Sequence, residues 1–144
     1  MAELFGLGAS AIAFIGLAGQ VLQGCQHIHD FMNNVRDALD DLRHYHTEIS
    51  SFKSVVLGFQ EVLQAIKPFA RIDNSAEQAL LALQSGGTAI NELKAILQKF
   101  ERSGEKDLWR GIKLARKSSE LAKHVARLGE AKVNILLAQS QVNL

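Results

Sequence analysis

The chain has 144 residues, a net charge of +1, 22% charged residues and a single cysteine. That length suits one domain with a core of its own, here residues 1–144, and the near-zero charge singles out no polyanionic partner. One cysteine excludes an internal disulfide and fits a reducing compartment.

The first element is the least ordinary. Leu4 to Gln26 reads LFGLGASAIAFIGLAGQVLQGCQ, twenty-three residues without a formal charge, five of them glycine and four alanine. As a helix it spans about 34 Å, against about 30 Å for the hydrocarbon core of a bilayer. The pattern predicts a helix over about 4–29, with a turn at Asn33-Asn34.

On a helical wheel, Leu4, Leu7, Phe14, Ile15, Leu17, Val21, Leu22, Cys25 and Ile28 share one arc. Gly6, Gly8, Ala9, Ala13, Gly16, Gly19, Gln20, Gln23 and Gly24 lie opposite, with Phe5 and Ile12 as exceptions. Glycine costs about 1 kcal/mol relative to alanine inside a helix, so five of them need a reason. Close backbone approach between membrane helices is one; a tight crossing in a soluble bundle, or a frayed first helix, is another. The stretch lacks the basic region of a secretory signal and the basic flank of an anchor. It reads as cytosolic with conditional membrane access.

From Val35 to Ile66 the periodicity is regular. Val35, Leu42, Ile49, Val56 and Leu63 stand seven apart, as do Ala38, Tyr45, Phe52, Phe59 and Ile66. This predicts a long helix with a continuous apolar seam, ended by Pro68, that faces the chain's own later helices rather than a second copy. Ile72 to Ser75 reads as a loop, and Asn74 and Ser75 precede Glu77 and Gln78 in capping-box spacing. The next seam is Ala76, Ala79, Leu83, Ile90, Leu93, Leu97 and Phe100, with Gly86-Gly87 expected to kink or break it.

After Ser103-Gly104, Glu105 to Lys117 reads EKDLWRGIKLARK, a short basic amphipathic segment. Ser118 or Ser119 caps a last helix with the seam Leu121, Val125, Leu128, Ile135 and Val142. The fold class is therefore all-α: an antiparallel bundle of four long helices plus a short basic helix. The three later seams are expected to close a bundle among themselves, leaving the first helix the most easily released.

Chemistry is sparse. His27/His29 and His44/His46 are i,i+2 pairs that diverge on a helix, and no CxxC or HExxH accompanies them, so no metal is expected. Nucleophile-elbow, phosphate-loop and dinucleotide motifs are missing, so no catalytic residue, no cofactor and no enzyme activity are expected. Lys94 to Lys132 carries eleven Lys/Arg against five acids. It lacks a nucleic-acid recognition motif, and Trp109 among Lys106, Arg110, Lys113, Arg116 and Lys117 suits anionic lipid headgroups instead. A solvated face with Trp109 in the core accounts for the same residues.

The opening MAELFGLGASAIAFIGLAGQVLQGCQHI, the run Leu42 to Phe52, and an ending with Asp107-Leu108-Trp109-Arg110 and Leu136-Leu137-Ala138-Gln139 resemble the HeLo-like domains over essentially the whole chain. These are fungal N-terminal domains of NLR-type (STAND) proteins and of amyloid-signalling cell-death effectors. The resemblance implies a bundle similar to the four-helix executioner domain of the necroptosis pseudokinase. It implies that oligomerisation by an NLR-type receptor, in cis or in trans, frees the first helix to permeabilise the plasma membrane, so that the protein is cytoplasmic at rest and on the plasma membrane when active. Leu4, Phe5, Leu7, Ile12, Phe14, Ile15, Leu17, Val21 and Leu22 would insert, and Gly6, Gly8, Ala9, Ala13, Gly16, Gly19 and Gly24 would form the packing face. Glu3 would be the charge at the tip. A helical signalling adaptor that never touches lipid is the alternative, resting on the seam at Val35–Ile66. Nucleic acid is not an expected partner.

Overall fold

The computed structural model describes residues 8–34, 40–65, 73–102 and 118–142. They form four helices and no strand: α1 (Ala9–Asn34), α2 (Asp40–Ala65), α3 (Asp73–Arg102) and α4 (Ser118–Ser140). Expectations for Leu4, Phe5, Gly6, Leu7, Glu3, Val35, Ala38, Ile66, Pro68, the turn Ser103-Gly104 and the basic segment Glu105–Lys117, and for the side chains of Leu42 and Phe100, fall outside the described residues.

The seams read from periodicity are the core. On α2, Tyr45, Ile49, Phe52, Val56, Phe59 and Leu63 are buried. So are Ala76, Ala79, Leu83, Ile90, Leu93 and Leu97 on α3, and Leu121, Val125, Leu128 and Ile135 on α4. Val142 packs at the edge of the same cluster. Burial of each large side chain contributes roughly 1.5–3 kcal/mol, so these stripes and not helix propensity hold the elements in place.

Three boundaries differ from the sequence reading. Helix α1 continues to Asn34 instead of ending at about 29, because Ile28 and Phe31 are both buried and carry its apolar stripe beyond that point. Helix α3 begins at Asp73, two residues before the expected end of the loop, within the usual variation of a helix end. It also runs unbroken through Gly86-Gly87. Those glycines answer a packing need: a Cβ on Gly86 would lie 2.6 Å from Cζ of Phe52 and 3.2 Å from Cβ of Ala131. Phe52 is fully buried and has no room to retreat.

The extensive pairings are α1 with α2, α1 with α3, α2 with α4, and α3 with α4, which closes a ring in the order α1, α2, α4, α3. The α3–α4 pairing is the largest and α1–α2 the smallest. Polar links are few among the described residues. Lys132 of α4 donates to Ser51 Oγ of α2 at 3.2 Å and lies 3.9 Å from Glu48. Glu92 of α3 meets His124 at 2.9 Å and Arg127 at 3.6 Å on α4. Lys53 of α2 donates to Gln26 of α1 at 2.9 Å.

Candidate functional site

Helix α1 is 26 residues long, about 39 Å, and its two sides meet different surroundings. The inner side carries Ala11, Phe14, Ala18, Val21, Cys25, Ile28 and Phe31, all buried in the shared core cluster. Phe14 stacks on Phe59 of α2 with ring centroids 4.8 Å apart, a tilted arrangement favoured by the ring quadrupoles. Ile15, Leu17 and Leu22 flank this stripe, partly buried against the cluster.

The outer side carries Ala9, Ile12, Ala13, Gly16, Gly19, Gln20 and Gln23, all exposed. A Cβ added at Gly16 or Gly19 would meet nothing within 4 Å. Among the described residues, no packing contact therefore requires glycine at either position. Ile12 is 42% exposed on the same side, as the wheel places it.

Gly24 corrects the wheel reading. It is buried, and a Cβ there would lie 2.7 Å from Cγ2 of Ile90 on α3. Gly87 of α3 mirrors it, with Cγ2 of Val21 at 3.0 Å from the corresponding point. Each helix thus offers a glycine hollow to a β-branched side chain of the other. Gly24 belongs to the docked interface, because α1 touches α3 as well as α2 and its buried arc is wider than the bulky residues alone mark out.

The expectation that α1 is easily spared is also corrected. Among the described residues, helices α2 and α3 share no extensive interface of their own and are joined through α1 and α4. Withdrawing Phe14, Val21, Cys25, Ile28 and Phe31 from the core forfeits on the order of 10 kcal/mol of burial. That rivals the whole stability of a typical domain, about 5–15 kcal/mol. Lasting release of α1 is therefore favoured where another apolar environment takes the same side chains, and transient opening in water is rare.

Among the described residues no helix is long and apolar enough to cross a membrane, and no group of three or more His, Cys, Asp or Glu could hold a metal ion. The expected inserting stretch begins at Leu4, outside those residues. Cys25 is free and buried on α1, and burial pushes its thiol up to about 12 against the opposing influence of Lys53. It is a poor nucleophile while α1 is docked, since the thiolate is the reactive form.

The sequence reading did not foresee two features. The rings of His29 on α1 and His46 on α2 lie 4.1 Å apart, from i,i+2 pairs that diverge within each helix but converge between helices. Val133, Leu136 and Leu137 on α4 are about half exposed, with Leu81 of α3 at 61%. Against known family models, curated proteins and solved structures, the chain matches none.

Proposed function

We propose that the chain is a membrane-permeabilising executioner domain of regulated cell death, of the HeLo-like kind its sequence resembles. The observation that carries the reading is the outer side of α1. Gly16 and Gly19 face open space in the resting bundle, where nothing needs them and each costs about 1 kcal/mol of helix stability. Small residues at such positions serve close packing of helices in lipid. A membrane is also an environment that receives Phe14, Val21 and Ile28 without loss of burial. Oligomerisation by an NLR-type receptor supplies the trigger, and anionic headgroups meet Lys106, Trp109, Arg110, Lys113, Arg116 and Lys117.

An antiparallel run of successive helices belongs to the same reading. Phe14 meets Phe59 and Gln26 meets Lys53, so numbers rise on α1 as they fall on α2. Likewise Gly86 faces Ala131 and Glu92 meets His124 between α3 and α4.

The adaptor reading loses its original support, because the α2 seam from Tyr45 to Leu63 is buried in the domain's own core. It keeps one observation, the exposed Val133, Leu136 and Leu137 on α4. Dye release from anionic vesicles separates the two. With the domain fused to an inducible oligomerisation module, wild-type protein should release dye on induction. Gly16→Leu and Gly19→Leu should keep the resting fold, since both sites are open, yet lose most of the release. Full release by both variants, or none by wild type, contradicts the proposal.

A further inference from the structure

The smallest of the four helix interfaces, α1 against α2, carries an unusual contact near one end. The imidazoles of His29 and His46 are in tilted contact, centroids 4.1 Å apart and inclined by 37°. Both side chains are half-buried. Nε2 of His46 is shielded from solvent and has no hydrogen-bond partner. We propose that this histidine pair is an acid-sensitive latch that holds α1 against α2 while both rings are neutral and loosens it when they are protonated.

The physical case starts from the neutral state. Two neutral imidazoles stack without cost, and a shielded Nε2 that bears no proton needs no acceptor. Protonation changes both terms, placing like charges on rings in contact and a charged N–H donor where no acceptor among the described residues is in reach.

Among the described residues, no charged group on the surrounding helices accepts from Nε2 of His46. On α1, Asp30 accepts from Gln26 at 2.9 Å. On α2, His44 lies against Tyr45, Lys53 donates to Gln26, and Glu48 pairs with Lys132 of α4. At the same end of α3 and α4, Glu92 is occupied by His124 and Arg127. His27 on α1 and Lys94 and Lys123 on α3 and α4 add no negative charge. Among the described residues, Glu48 is thus paired with Lys132 and Glu92 with His124 and Arg127, Asp30 accepts from Gln26, and Glu120 at the start of α4 has an interaction of its own.

The direction of titration agrees. Burial first, and the neighbouring His29 second, hold His46 below the ordinary histidine range. A base held low in the docked state binds fewer protons there than when released. Docking is therefore unaffected well above pH 6.5, the ordinary value, and is progressively weakened as pH falls through and below it. Because Cys25 sits on α1, 1% exposed and without a second thiol in the chain, it reports α1 undocking directly.

The test labels Cys25 with dithiodipyridine, which reacts with thiols in mild acid, at pH 7.5 and 5.5 with EDTA present. Rates are taken relative to an unstructured cysteine peptide. Wild type should label about tenfold faster at pH 5.5 on that relative scale. His46→Gln and His29→Gln should each remove most of this acceleration, and His44→Gln, at an exposed position, should keep it. Should His46→Gln fail to fold, His29→Gln alone decides, being the less constrained site. Equal acceleration in wild type and His29→Gln, or none in wild type, overturns the latch. The inference concerns α1 docking alone, so it survives or fails independently of any membrane activity.

Discussion

The two sides of α1 share one helix and both carry glycine, yet they answer to different environments. On the inner side a glycine, Gly24, is a hollow that Ile90 of α3 occupies. On the outer side Gly16 and Gly19 border nothing. The same residue is thus explained by close packing in one place and unexplained by the resting fold in the other. Packing explains the first glycine, and the proposed function is what would explain the other two.

Substitutions that exaggerate or erase the contrast test it. The largest effect is expected for Phe14→Ala, which empties a fully buried ring site against Phe59 and should cost about 3–5 kcal/mol by denaturant unfolding. Its neighbour on the outer side, Ile12, should tolerate serine with a change of about 0.5 kcal/mol or less.

Next come the occupied hollows. Gly86→Ala drives a methyl into the buried Phe52 ring and should destabilise by about 1–3 kcal/mol despite the gain in helix propensity. Gly24→Ala should act in the same direction but more weakly, since the new methyl meets one atom, Cγ2 of Ile90, where at Gly86 it meets a buried ring and Ala131 together. Thermal melting of both variants, with Cys25 labelling for Gly24→Ala, shows whether the loss falls on the α1–α3 contact.

The smallest effect has the opposite sign. Gly16→Ala and Gly19→Ala should each raise stability by about 0.5–1 kcal/mol, because open space costs the methyl nothing and alanine is the better helix former. A loss of stability in either would mean that the outer side is packed after all.

Much of the fold was legible because seam residues repeat at fixed intervals. Ile49, Val56 and Leu63 were placed in the core by spacing alone, as were Leu83, Ile90 and Leu97. What spacing does not encode is which helix lies beside which. Gly24 was therefore assigned to the outer side, since a glycine looks alike in a wheel whether it borders solvent or Ile90. Gly86-Gly87 suggested a kink or break for the same reason, although Phe52 and Val21 fill those positions within a continuous helix. The His29–His46 contact was illegible because each residue was compared only with its neighbours in sequence. Ala11 and Ala18, buried on α1, were passed over because the bulky arc was drawn from side-chain size.

The central claim is that the outer side of α1 passes from water to lipid when the domain is activated. The measurement that tests it most directly places an environment-sensitive NBD fluorophore on Gly16→Cys in a Cys25→Ala background. Residue 16 faces open space, so the label leaves the resting bundle undisturbed and should emit as a water-exposed dye. On induced oligomerisation with anionic vesicles, the account predicts a blue shift and quenching by lipids that carry the quencher in their acyl chains. A label that stays water-exposed while the vesicles leak would contradict it.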